Sequence, residues 1–188
     1  MIKEDIISKV MTDLETENLI PSSALFSITE QHLEHYMRLY AFYRAKISKS
    51  IIDTNSNKFK AQYNYARKLA GLSLLKLKLS RGAKATQCKE GIIYIIKNPA
   101  WPSDVKVGTT TNLKARLSGY QTYSPYRDYS VDYYDFVLDK RKLERSLLDN
   151  LSLSLTDEGE WVSNTKSKDI INLVRNTIPT LPTWNFSY

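Results

Sequence analysis

The sequence predicts an α+β protein in which an all-α N-terminal region precedes a small three-stranded antiparallel sheet flanked by helices. Three observations carry this expectation. Apolar residues recur at helical spacing as far as Leu79. At Gly91 the pattern changes to the unbroken β-branched and aromatic run Ile92-Ile93-Tyr94-Ile95-Ile96, which reads as a buried strand. With 188 residues, the chain can bury one full core and a smaller helical attachment, but not two large domains.

The elements follow in order. Ile6, Ile7, Val10, Met11 and Leu14 predict a first helix that fades at Asn18, before Pro21. Ser27 or Thr29 can cap a second helix, along which Leu33, Tyr36, Met37, Tyr40, Ala41 and Tyr43 form a stripe that reads as core packing. Asp53 to Asn57 is a polar turn. A third helix is expected from about Lys58 to Leu79, interrupted at Gly71, with Ser80 to Lys84 as a linker. After the first strand, Asn98-Pro99 and the loop through Trp101 lead to Val105-Lys106-Val107-Gly108, a hairpin partner. Thr111 or Asn112 can cap a short helix from Leu113 to Tyr120. Val131 to Leu138 alternates as a third strand. Asp139 can cap a helix with Leu143, Leu147 and Leu151 on its core side, and a final helix is expected from Lys168 to Ile178, before Pro179. The expected domains are thus a helical, basic region over 1–84, a sheet domain over 88–178 and a tail over 179–188.

Composition narrows the chemistry. Cys88 is the single cysteine, and His32 and His35 are the only histidines, which excludes an intrachain disulfide, a Cys-rich zinc cage and a His-based triad. No phosphate-binding glycine motif occurs. Carboxylates, Arg, Lys and Tyr must therefore carry any reaction. No apolar run is long enough to span a membrane, and the Met1-to-Asp5 opening does not resemble a signal peptide, so a cytoplasmic location is expected. The net charge of +7 favours a polyanionic partner. Between Arg38 and Lys84, Asp53 is the only acid, whereas the first stretch is acidic. Arg67, Lys68, Lys76, Lys78, Arg81 and Lys84 are accordingly the expected DNA-binding residues, against the plainer reading of a solvated charged face.

Five pieces occur in a telling order: Gly91-Ile92-Ile93-Tyr94-Ile95, Lys106-Val107-Gly108, Asn112 to Leu117, Leu143-Glu144 and Gly159-Glu160-Trp161. The ordered set resembles the GIY-YIG nuclease superfamily, and within it a phage-associated branch whose second motif reads K-[IV]-G. The resemblance covers about half of the chain. It implies the GIY-YIG fold over 88–178 and a magnesium- or manganese-dependent endonuclease with one ion per site. It also implies roles: Tyr94 helps orient or deprotonate the attacking water, Arg116 is the catalytic arginine, and Tyr120 is a second helix tyrosine. Glu144 is the carboxylate that holds the metal. Lys106 stands where a tyrosine is usual, so Tyr94, Lys106 and a metal-bound water all remain candidates for the base. No organic cofactor is implied.

The chemistry is consistent with this. Phosphodiester hydrolysis needs a nucleophile, neutralisation of charge in the transition state and a stabilised leaving oxygen. Arg116 offers a fixed fork for phosphate oxygens, and a hydrated hard cation needs few protein ligands. Taken singly, each residue also has a plainer reading. Tyr94 can be a core aromatic, Arg116 a surface arginine, Lys106 an exposed hairpin lysine, and Glu144 a partner for Lys140, Arg141 or Arg145. Trp161 reads as packing.

The N-terminal helices, through Leu19-Ile20-Pro21, Glu34 to Tyr43 and Leu69 to Ser73, faintly resemble phage terminase small subunits, which bind DNA. Three functions follow from these readings. The chain is a phage-encoded, homing or restriction-like endonuclease acting on DNA, with duplex as the expected form. Or it is a non-catalytic, terminase-like DNA-binding adaptor with a degenerate nuclease fold. Or it is an interaction protein. A homodimer, and phage packaging or replication proteins as partners, belong with the first two.

Overall fold

A computed structural model of the chain describes residues 3–23, 25–48, 56–150, 161–163 and 167–177. The chain divides into two compact units, one running to Gln87 and the other comprising Cys88–Pro179. Leu151, Gly159, Glu160, Ile178, most of the predicted turn at Asp53 and the tail over 179–188 lie outside the described residues.

The first unit contains α1 (Lys3–Thr16), α2 (Glu30–Ser48) and α3 (Asn57–Ser80), with a short 3-10 turn at Ala85–Gln87. Each helix ends for a local reason. After α1, Asn18 takes a left-handed φ of 54°, a conformation Asn tolerates, and the Leu19 amide bonds back to the Leu14 carbonyl at 2.9 Å. Of the two candidate caps for α2, Thr29 serves. Its hydroxyl accepts from the His32 amide at 3.3 Å, and His32 Nδ1 accepts from the Thr29 amide at 3.2 Å, a reciprocal cap built with histidine in place of Glu. The helix α3 runs through buried Gly71, where an interruption was expected, and stops at Gly82 (φ 99°). The Ala83 and Gly82 amides there close onto the Lys78 and Leu79 carbonyls. Val10, Leu14, Leu33, Tyr36, Met37, Ala70 and Leu74 are buried, so the tyrosine stripe is packing. Tyr36 stacks on Tyr40 at 6.3 Å, and its hydroxyl meets Ser73 at 3.2 Å.

The second unit runs β1 (Gly91–Lys97), β2 (Asp104–Thr110), α4 (Leu113–Thr122), β3 (Ser130–Val137), α5 (Lys140–Asn150), β4 (Trp161–Ser163) and α6 (Ser167–Thr177). The sheet has four strands in the order β3-β1-β2-β4, and every pairing is antiparallel. The sequence reading has one strand fewer because β4 is only three residues long, too short to show alternation. Its pairing with β2 places Trp161 opposite Lys106.

Strand alternation gives the sheet two different faces. On one, Ile93 and Ile95 of β1 and Val105 and Val107 of β2 join Leu143 and Leu147 of α5 and Ile170 and Val174 of α6 in a dry core. The other face carries Tyr94 and, two register steps along β2, Lys106. Gly91 is spatially required. A Cβ there would lie 2.8 Å from the Thr110 carbonyl and from the Lys140 side chain, which crosses this position so that its ammonium can donate to the Cys88 and Glu90 carbonyls.

Candidate active site

The site begins with Asn112. Its side chain accepts from the Ala115 amide at 3.1 Å and its own amide donates to the Thr110 hydroxyl at 3.1 Å, fixing how α4 leaves β2. One turn in, Arg116 and Tyr120 fall on the same helical side by their spacing. Arg116 Nε donates to the Tyr94 hydroxyl at 3.1 Å, and that hydroxyl lies 3.0 Å from the Tyr120 hydroxyl. The guanidinium carbon also sits 4.9 Å from the centre of the Tyr120 ring. Tyr94 itself is buried while Arg116 is exposed, so the network runs from the sheet interior out to solvent.

Gly108 makes this possible. It pairs with Tyr94 across β1 and β2, and a Cβ on it would collide with the Tyr94 hydroxyl and lie 2.7 Å from Cζ. The glycine thus clears the strand surface over which the phenol lies.

Burial pushes the Tyr94 hydroxyl well above the ordinary tyrosine range; its bond with Tyr120 adds to this, and Arg116 opposes it. Lys106 lies on the same face of the sheet as Tyr94. Its ammonium lies over two rings, 5.6 Å from the centre of Tyr120 and 5.4 Å from that of Trp161. In these contacts the Tyr94 hydroxyl accepts from Arg116 and meets the Tyr120 hydroxyl, an arrangement that can orient a third polar group. Arg116 is held still more firmly charged, chiefly by its bond with Tyr94.

Glu144 comes to β2 from the other layer. The Thr109 hydroxyl donates to its Oε2 at 3.0 Å, and Thr109 pairs with Ile93, on the face that carries the dry core. Its expected competitor Lys140 is engaged with the Cys88 and Glu90 carbonyls. Two successive residues of β2 thus hold the two parts of the site. Gly108 underlies the tyrosine–arginine cluster, and the next residue, Thr109, holds the carboxylate. The structure brings Tyr94, Arg116, Tyr120 and Lys106 together, and it bonds Glu144 to Thr109, next to Gly108 along β2. Among the described residues no group of three or more His, Cys, Asp or Glu could form a metal cage.

Thr109 and Gly108 were not singled out by the sequence reading, and neither had a signal beyond the glycine of the second motif. Tyr129 was also missed. The Tyr129 amide donates to Gln121 Oε1 at 3.1 Å, while Gln121 Nε2 donates to the Tyr129 carbonyl at 2.7 Å, and this two-way bond sets the ring 5.6 Å from Tyr120.

The expected DNA-binding residues divide sharply. Arg67 is buried and pairs with Glu30 at 2.7 Å, Lys78 is buried with its ammonium 5.9 Å from the Phe26 ring, and Arg81 is bonded to Glu15 and to the Pro21 carbonyl. Arg67 and Lys78 are thus enclosed within the helical unit, and Arg81, which is partly exposed, is bonded there. Lys76 and Lys84 are exposed, and Lys68 is half-buried.

Comparison with known proteins places this geometry in a context. Residues 91–176 match the T5orf172 domain, a phage-associated domain found in nuclease-type proteins; the match is not to a GIY-YIG model. No curated protein and no solved structure matches the chain. Among the described residues, no helix is long and apolar enough to cross a membrane.

Proposed function

We propose that the chain is a divalent-metal-dependent DNA endonuclease of GIY-YIG type, phage-encoded, that hydrolyses phosphodiester bonds on the α4 face of the sheet. The observation that carries this reading is the bonded trio Tyr94–Tyr120–Arg116, in which a buried phenol fixes an exposed guanidinium. The ordered motifs and the T5orf172 match over the same residues support it.

The donor set is compatible with a hard cation only in its hydrated form. Glu144 offers a carboxylate already positioned by Thr109, and Mg²⁺ or Mn²⁺ commonly keeps several waters and uses one or two carboxylates plus substrate phosphate. Bound there, such an ion would neutralise phosphate charge and stabilise the leaving oxygen. Arg116 binds the phosphate oxygens and gains most where charge concentrates during attack. The Tyr94 and Tyr120 hydroxyls hold the attacking water in line, and their contact gives a path along which a proton can shift. Water adds to phosphorus, the bond to one ester oxygen breaks, and that oxygen leaves with a proton. Exposed Lys76 and Lys84, with half-buried Lys68, are the remaining candidates for contact with duplex DNA.

One observation favours a second reading, a DNA-binding adaptor that does not cut. Glu144 is bonded to Thr109, and among the described residues no bond joins it to Tyr94, Tyr120 or Arg116. Plasmid cleavage with Mg²⁺ or Mn²⁺, abolished by chelator, separates the two readings. Tight, salt-sensitive binding without any cut supports the adaptor.

A further inference from the structure

The tyrosine–arginine cluster continues into a run of rings that the proposed cleavage reaction does not use. From Tyr120 the run passes to Tyr129 at 5.6 Å, then to Trp161 at 6.5 Å and to Trp101 at 6.4 Å; the two tryptophans meet edge to face at 5.5 Å. Its members come from α4, the approach to β3, the short strand β4 and the loop between β1 and β2. Lys106 lies among them, over both Tyr120 and Trp161.

The run is firmly mounted. Buried Asn98 donates to Asp128 at 2.8 Å and accepts from the Ala100 amide at 2.8 Å, and Ser124 donates to the same Asp128 oxygen at 2.7 Å. These bonds join the loop that carries Trp101 to the segment that carries Tyr129. Trp101 nonetheless keeps 48% of its surface exposed, and Tyr123 and Tyr126, between Tyr120 and Tyr129 in sequence, are 88% and 84% exposed. A ring set that existed only to cover the sheet would bury its largest member. This one leaves about half of the Trp101 indole exposed on a fixed support, in a run whose other rings carry Lys106 and Arg116.

We propose that Trp101, Tyr129 and Trp161 form a stacking platform for unpaired bases of single-stranded DNA next to the cleavage centre. The occupant follows from the combination on this face. Fixed aromatic faces take bases without regard to sequence, and Lys106 and Arg116 supply the positive charge that a phosphate chain needs. A base in duplex DNA has both faces covered by its neighbours and cannot use such a surface, so the platform selects single strands, or a duplex locally opened. This inference rests on the nuclease reading only for the identity of the neighbouring site; the stacking itself requires no cut.

The test is binding of the full chain, in chelator, to a labelled oligothymidylate and to a blunt hairpin duplex. Trp101→Ala is expected to weaken oligothymidylate binding by roughly tenfold or more. Duplex affinity and the salt dependence of both should be unchanged, and Trp101→Phe should restore most of the loss. Equal losses on both ligands, or no loss on the single strand, would overturn the platform. Cleavage in Mg²⁺ is then measured separately on the same preparations. A protein that stacks bases through Trp101 but never cuts leaves the platform standing and removes the nuclease reading. A protein that cuts normally with Trp101→Ala, and with an unaltered preference between the two ligands, does the reverse.

Discussion

Arg67 in the helical unit and Arg116 in the sheet unit each hydrogen-bond a side chain from another element, yet their surroundings differ. Arg67 is enclosed, and its partner is the carboxylate of Glu30. Its charge is balanced within the fold. Arg116 is exposed, and its partner is a neutral phenol, so its full positive charge remains for something outside the chain. A further pair of cases differs in the same way, although the sheet unit also pairs Lys89 with Asp139 and Lys97 with Asp132. The helical unit pairs Arg81 with Glu15 and encloses Lys78, whereas the sheet unit rests Lys106 on rings that carry no net charge. Formal charge along a sequence thus overstates what the helices can offer a polyanion.

The largest effect expected from this contrast is at Arg116. Arg116→Ala should lower the cleavage rate by about 100- to 1000-fold while changing DNA affinity only a few-fold, because its charge counts most in the transition state. Arg116→Lys should not restore the rate, since lysine lacks the planar fork. Single-turnover cleavage and binding measured side by side check this; equal losses in both would make Arg116 a binding residue only.

Gly108→Ala comes next. The added methyl must displace the Tyr94 phenol, so cleavage should fall by about tenfold or more, with a stability loss of about 1–3 kcal/mol from overpacking. A urea midpoint and a cleavage rate equal to those of the native chain would contradict the described fit.

The tyrosines sharpen the comparison through pH. Burial pushes Tyr36 and Tyr63 of the helical unit up to about 12, and Tyr94 and Tyr133 of the sheet unit are raised further, chiefly by the same cause. Their unfolded values lie near 10. Above that pH the unfolded chain releases protons that the folded one keeps, so stability must fall as pH rises, while below it these groups make no difference. Urea midpoints should therefore drop between pH 9 and pH 11, and Tyr94→Phe should make the drop shallower. An identical drop in the variant would mean that Tyr94 ionises normally.

The smallest effects separate Arg67 from Lys76. Arg67→Ala should cost about 2 kcal/mol of stability through lost packing and a broken ion pair. Lys76→Ala should leave stability within about 0.5 kcal/mol while reducing the salt dependence of DNA binding by roughly one phosphate contact. Thermal melts and salt titrations on both variants distinguish them; a reversal of the two patterns would place the DNA contact in the wrong part of the helix.

Much of the architecture was legible because periodicity reports burial directly. Ile92 to Ile96 read as a strand covered on both sides, and it is. Leu143 and Leu147 read as the core side of α5, and they are. Positions fixed by local rules were legible too, such as the Asn112 cap and the Arg116–Tyr120 spacing. What was not legible depends on contacts between distant residues. Nothing along the chain shows that Thr109 will hold Glu144, that Lys140 will be drawn to the start of β1, or that Lys106 will rest on Tyr120 and Trp161. Nor does the basic run show along the chain that Arg67 and Arg81 pair with Glu30 and Glu15 of other helices. Gly71 misled because a glycine inside a buried helix costs little when neighbouring helices pack around it.

The relation between Glu144 and the tyrosine–arginine face is the point on which the enzyme account turns. Plasmid cleavage in Mg²⁺ with the native chain and with Glu144→Ala, alongside binding of each to the same DNA in chelator, tests it directly. The account predicts metal-dependent cutting by the native chain, a loss of about 100-fold or more in the variant, and nearly equal binding by both. Cutting by Glu144→Ala at the native rate, or no cutting by a native chain that binds DNA tightly, would contradict it.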